Sequence, residues 1–467
     1  MNRNLLLALG LIVTLLGGCT LAPEYMRPAS PVPAAWPTGA AYPETKTDAS
    51  APAAELSWRE FITDGRLREV IAIAVRDNRD LRLAALNVER ARAYYGIQRA
   101  ELLPPIDAAG SGRRERVPAD LSSGGSAMTT ERYDVNLGIS SWEIDFFGRI
   151  RSLKDRALEE YLATDQARRS AQTLLVSEAA NAWLALAAER EHSKLARSTL
   201  ESQEMSCSLI RKRFELGLAS ALDLYRAQSQ VDAARGDVAR SAQRAAQVEN
   251  ALGLLTGSPL PPALLPDELT GVSSHGELSP GVSSELLLRR PDVLAAEHRL
   301  KAANANIGAA RAAFFPRISL TAAFGTASAD LSGLFASGSG AWSFAPRITM
   351  PIFDARTWSA YDVTKVEGEI SLTQYEKAIQ TAFREVSDAL AVQGTVSRQI
   401  AAQQSLVDAV QEAHRLADLL YAKGIEGYLS VLDAQRSLYG AQQGLIVLHL
   451  ARLTNRVTLY KVLGGGV

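Results

Sequence analysis

The sequence predicts a mixed α/β membrane protein built mostly of long α-helices, with four membrane β-strands per chain and an internal two-fold repeat. Three observations predict it. The chain is written twice: residues 80–106 (DLRLAALNVERARAYYGIQRAELLPPI) recur as 292–318 (DVLAAEHRLKAANANIGAARAAFFPRI), with Asp80/Asp292, Gly96/Gly308, Arg99/Arg311, Pro104/Pro316 and Ile106/Ile318 coinciding without a gap. A second pair follows, 217–228 (GLASALDLYRAQ) and 424–435 (GIEGYLSVLDAQ). Copies so far apart are not solenoid units of about 20–50 residues, so each is one large block. Four segments also alternate apolar and polar residues over enough length to cross a bilayer, which takes about 9–11 tilted residues. Finally, residues 149–214 and 352–422 contain no Pro and few Gly. At 1.5 Å per residue such stretches give helices of roughly 100 Å, far beyond the usual ~11–12 residues.

The elements follow in order. Residues 1–18 read as a signal peptide: Arg3 supplies the positive charge, and an apolar run over 5–16 is too short to span a bilayer as a helix. The run ends in Leu16-Gly17-Gly18-Cys19, which resembles the lipobox of bacterial lipoproteins. That resemblance makes Cys19 the lipidated N-terminus, and Thr20 after it, in place of Asp, favours the outer membrane. Residues 19–63 read as a lipidated tether rich in Pro, Ala, Ser and Thr, with packed structure beginning at Trp58 and Phe61. The first repeat takes 64–257. Asp64 is placed to cap a helix to about 76, and Asp80 a second one to 103, stopped by Pro104 and Pro105. Strands at about 106–117 and 132–143 follow, then a helical hairpin at about 149–257. Tyr133, Val135, Leu137 and Ile139 form one strand face, and Asp134, Asn136, Gly138 and Ser140 the other. Residues 258–282 are a Pro/Gly/Ser-rich linker. The second repeat takes 283–467, with strands at about 317–328 and 341–350 and a helical hairpin at about 352–463. Ala157, Ala167, Ala171 and Ala182 mark a small-residue helix seam. Each long helix reverses near a glycine, Gly217 in one half and Gly424 with Gly427 in the other.

Composition narrows the function. There are 50 Lys and Arg against 51 Asp and Glu, a net charge of −1, which argues against a nucleic-acid partner. Apart from Cys19 the only cysteine is Cys207, so no intramolecular disulfide forms. Five scattered histidines lack metal-ligand spacing, and no phosphate-binding loop or nucleophile elbow occurs, so neither an enzyme nor a metal site is expected. Four strands cannot close a membrane barrel, because an unpaired edge in lipid leaves backbone groups unsatisfied. Two copies would supply eight strands with a filled interior, and three would supply twelve strands around a lumen.

The lipobox, WREFITDGRLREVIAIAVRDNRDLRLAALNVERARA, SWEIDFFGR, MPIFD and YAKGIEGYLSVLDAQRSLY together resemble outer-membrane efflux channels. More closely, the chain resembles the OprM-like lipoprotein branch of the TolC family that serves RND-type pumps, and the likeness covers essentially the whole mature chain. The resemblance implies a homotrimer with a twelve-stranded barrel, a periplasmic α-barrel and an equatorial collar. It implies no cofactor beyond the lipid on Cys19. It also implies a periplasmic adaptor, an inner-membrane RND transporter and passive conduction of small toxic compounds or drugs. Matched residue by residue, Leu429 and Asp433 fall on the constricting positions of the periplasmic gate. Arg436 lies one turn on, Tyr421 takes an aromatic position near the turn, and Asp223 is a weaker candidate on the first tip. Gly217, Leu218, Gly424 and Ile425 occupy the turns that meet the adaptor. Two alternatives remain: the same duct serving a type I protein-export system, and a non-conducting structural lipoprotein.

Overall fold

The computed structural model describes residues 20–42, 56–269 and 283–465. The signal segment and Cys19 lie outside the described residues. The chain forms two compact units, each drawing on both halves of the sequence: one takes 20–29, 87–165 and 295–375, the other 30–42, 56–86, 166–294 and 376–465 where described.

In chain order the elements are α1 (Trp58–Phe61), α2 (Gly65–Asp77), α3 (Arg79–Ala100), β1 (Asp107–Val117), β2 (Met128–Ile144), α4 (Arg149–Glu215) and α5 (Ala221–Thr256). The second half supplies α6 (Pro291–Ala312), β3 (Arg317–Ser328), β4 (Gly340–Thr349), α7 (Ala355–Ala422) and α8 (Tyr428–Val462). Asp64 caps α2 by accepting from the Leu67 amide at 2.9 Å. The cap of α3 is Asn78 rather than Asp80: its Oδ1 accepts from the Leu81 amide at 2.9 Å while its Nδ2 donates to the Leu255 carbonyl. Asp80 lies inside the first turn. α4 runs for 67 residues and α7 for 68. Among the described residues no helix is long and apolar enough to cross a membrane.

The first unit holds one antiparallel sheet in the order β1-β2-β3-β4. β2 starts at Met128, earlier than alternation alone suggests, because Thr129 and Thr130 continue the ladder opposite Arg116 and Glu115. Register partners share a face, so Ala108, Leu137, Phe324 and Trp342 form one row across all four strands. Val135, Leu137, Phe324, Trp342, Phe344 and Ile348, all on this face, are exposed. The opposite face carries Arg113, Asp134, Asn136, Glu143, Arg317 and Arg347. Between Ile139 and Trp142 the register slips by one residue, and Ser141 stands at φ 54°. This bulge returns Trp142 and Ile144 to the apolar face. At Gly325 a Cβ would come within 2.1 Å of the Val135 carbonyl oxygen, so only glycine lets β2 and β3 pair there.

The same unit pins residues 20–29. Glu297 is 3 % exposed; it accepts from the Tyr25 hydroxyl at 3.1 Å and from Arg27 at 2.8 Å. Asn304 donates to the Pro23 carbonyl at 2.7 Å. Residues 20–29 of the predicted tether therefore carry no helix or strand but are anchored.

The core of the second unit joins Trp58, Phe61, Ile71 and Trp183 to Leu252, Val457 and Tyr460. Phe61 stacks on Tyr460 at 4.4 Å, and the Tyr460 hydroxyl donates to the Leu56 carbonyl. The described start of the linker is fastened here, the Trp183 indole donating to the Leu264 carbonyl at 2.9 Å. Buried Arg290 joins Asp292, Glu385 and the Val462 carbonyl. Ala157, Ala167, Ala171 and Ala182 are only half-buried within one chain; Ala163, Ala179, Ala180, Ala187, Ala188 and Ala196 are the buried alanines of α4.

Candidate functional site at the helix turns

Both long hairpins turn by the same backbone device. Gly217 and Gly424 adopt φ 72° and 75°. At the first turn Leu218 N–H reaches the Arg213 carbonyl and Gly217 N–H the Phe214 carbonyl; at the second, Ile425 N–H reaches Leu420 and Gly424 N–H reaches Tyr421. These paired bonds are the Schellman closure, which needs a left-handed residue after the helix and so favours glycine.

The restarts differ. Ser220 and Asp223 form a reciprocal capping box on α5, the Asp223 amide donating to Ser220 Oγ at 3.1 Å and the Ser220 amide to Asp223 Oδ2 at 3.3 Å. α8 begins after Gly427, which offers no side chain to cap it. Asp223 is thus committed to the first turn, a role the sequence reading did not give it.

The predicted gate residues separate into two groups. Leu429 is about half exposed, and the Asp433–Arg436 ion pair is 3.9 Å long with both side chains more than three-fifths exposed. An i,i+3 surface pair of this kind contributes a few tenths of a kcal/mol. Leu218 and Ile425 at the turns are also exposed. Tyr421 instead faces the chain's own first hairpin: the Arg213 guanidinium sits 4.8 Å over its ring, and the Tyr428 ring lies 5.3 Å away. Burial raises the Tyr421 phenol, partly offset by Arg213.

Sequence reasoning missed the cluster beneath. Cys207, Ile210, Ala227, Val231, Tyr428, Val431 and Leu432 are mutually packed, with Tyr421 against them. The readable signal was the recurrence of small or apolar residues beside both glycine turns, but helix pairing alone says which of them meet. Among the described residues no group of three or more His, Cys, Asp or Glu could hold a metal ion.

A four-stranded sheet with one apolar and one polar face, joined to paired helices of this length, defines a channel of the outer-membrane efflux class. The chain belongs to the outer membrane efflux protein family, whose model matches residues 70–258 and 282–465. It is 48% identical over 462 residues to the toluene efflux pump outer membrane protein TtgC of Pseudomonas putida, covering 99% of this chain and 95% of that one. A crystal structure of a membrane protein from Pseudomonas aeruginosa is 42% identical, with a TM-score of 0.89 over 96% of this chain and 98% of that one. The open state of the MtrE outer membrane channel of Neisseria gonorrhoeae is 38% identical, with a TM-score of 0.85 over 96% and 98%. The family match and these relatives bear out the expectation of an outer-membrane efflux protein.

Proposed function

We propose that the chain is the passive exit duct of a tripartite RND-type pump, working as a homotrimer gated at its helix turns. The observation that carries this is the sheet: one face is apolar and exposed, yet β1 and β4 each pair on one side only. In lipid those free edges must be paired, and three copies supply twelve strands around a lumen lined by the polar face. Exposed Leu83, Leu86, Tyr94 and Ile97 on α3 and Val363, Val366 and Ile370 on α7 support subunit contacts along the helices. The double match of the family model supports a two-fold repeat within each chain. Lipid on Cys19 adds an anchor in the outer membrane, with each buried CH2 contributing about 0.8 kcal/mol.

The duct has no chemistry of its own, and the inner-membrane transporter supplies the energy. Leu218 and Ile425, beside Gly217 and Gly424, offer the adaptor an apolar contact. Three copies of Leu429 form an apolar ring that gates by dewetting, and three of Asp433 an acidic ring that favours cations. Arg436 partners each Asp433, and Tyr421 and Asp223 shape the turns behind them. The cargo is small toxic compounds or drugs; the toluene pump relative supports an apolar range.

The test is conductance in planar bilayers of the purified protein and a Leu429→Ala, Asp433→Ala variant. Alanine keeps the helix. The variant is expected to conduct more than wild type and to lose cation selectivity. A folded trimer with both properties unchanged would remove the gate from these residues.

A further inference from the structure

We propose that Tyr428 is the positioning residue that seats the gating turn: its ring clamps the start of α8 onto the α4–α5 hairpin, and its unpaired hydroxyl keeps that seat breakable. The proposal rests on the gate reading above and names what holds the gate shut within one chain.

Tyr428 is the first residue of α8, directly before Leu429. Its side chain is buried, 3 % exposed, among Cys207 and Ile210 of α4 and Ala227 and Val231 of α5. The turn of the first hairpin is closed by its Ser220–Asp223 box, whereas α8 has no side-chain cap. Apolar packing therefore does the work at α8 that hydrogen bonds do at α5. Yet the buried Tyr428 Oη meets no hydrogen-bonding group among the described residues. A hydroxyl removed from water without a partner opposes its own burial. Burial pushes the phenol up to about 12, so it stays protonated and uncharged at neutral pH. Ring and hydroxyl thus act in opposite directions, and their balance sets how readily the turn carrying Leu429 lifts away. Phenylalanine would keep the ring and drop the opposing group; alanine would drop both.

Cys207 reports on the seat, because it is buried in the same cluster at 5 % exposure. The experiment measures maleimide labelling of Cys207 and bilayer conductance in the full-length protein. It compares wild type, Tyr428→Phe, Tyr428→Ala and the Leu429→Ala, Asp433→Ala variant, with Cys207→Ser as the labelling blank. Tyr428→Phe is expected to label about tenfold more slowly and to conduct less, and Tyr428→Ala to label faster by a similar factor and to conduct more. Opposite shifts from the two substitutions are not what a general loss of stability produces. If Tyr428→Phe labels and conducts as wild type, the proposal is overturned, and this near-isosteric change keeps the test valid should Tyr428→Ala not assemble. It is overturned too if labelling shifts without conductance while the Leu429→Ala, Asp433→Ala variant conducts more; the gate then stands and Tyr428 does not control it. If that double variant conducts as wild type, the gate reading fails, and the labelling rates alone decide whether Tyr428 seats the turn.

Discussion

Ser141 shows how much one residue decides. Its left-handed φ of 54° costs an L-residue about 1–2 kcal/mol, and its amide finds the Thr321 hydroxyl at 3.2 Å in place of a regular ladder partner. Without the extra residue, Trp142 and Ile144 would turn to the polar face. Deleting Ser141 is therefore expected to abolish membrane assembly, whereas Ser141→Gly, which relaxes the strained φ, leaves it intact; heat-modifiable gel mobility of extracted membranes checks both. Glu297 is the second such residue. Burial alone would raise its carboxyl, but the Arg27 hydrogen bond, Lys301 and Tyr25 outweigh it and hold the group below the usual glutamate value. A depressed folded pKa contributes stability that is complete above the ordinary value and is lost as pH falls through the depressed one. Docking of residues 20–29 is thus expected to survive from neutral pH to about 5 and to fail in stronger acid. Limited proteolysis with an acid-active protease reads this out, and Arg27→Ala is expected to open the same segment to protease at pH 7. A segment equally protected in Arg27→Ala would show that the ion pair does not hold it.

At the scale of elements, period and punctuation were legible and partners were not. The strand period of two and the Pro-free helical stretches are local properties, visible in 317–328 and 149–214 without any contact. The cap of α3 was misassigned because Asp80 and Asn78 are equally good capping types; what selects Asn78 is the Leu255 carbonyl, available only once α5 packs nearby. The bulge in β2 was invisible because an extra serine looks like continued alternation until β3 fixes the register. Phe324→Arg, on the exposed apolar row, is expected to cost about 2–4 kcal/mol if it lies at the bilayer midplane. Thr321→Arg, on the polar face, is expected to cost far less. Unfolding titrations in bilayers compare them, and equal costs would mean that the apolar face does not meet lipid.

For the whole molecule, native mass measurement in mild detergent is expected to give three copies, and a stable monomer or dimer would contradict closure by twelve strands. Cys19→Ser is expected to abolish acyl labelling while leaving the trimer formed, since the proposed twelve-stranded barrel would hold the membrane without the lipid. The sequence by itself determined the four strands, the long helices, the glycine turns and the membership in an efflux family, because each is written in local period, local backbone preference or motif. Only the tertiary structure decided that β2 pairs with β3, that Glu297 holds residues 20–29, that Asp223 is spent on a cap, and that Tyr428 lies buried against Cys207. Those facts depend on which distant segments meet, and burial, register and hydrogen-bond partners come into being only when they do.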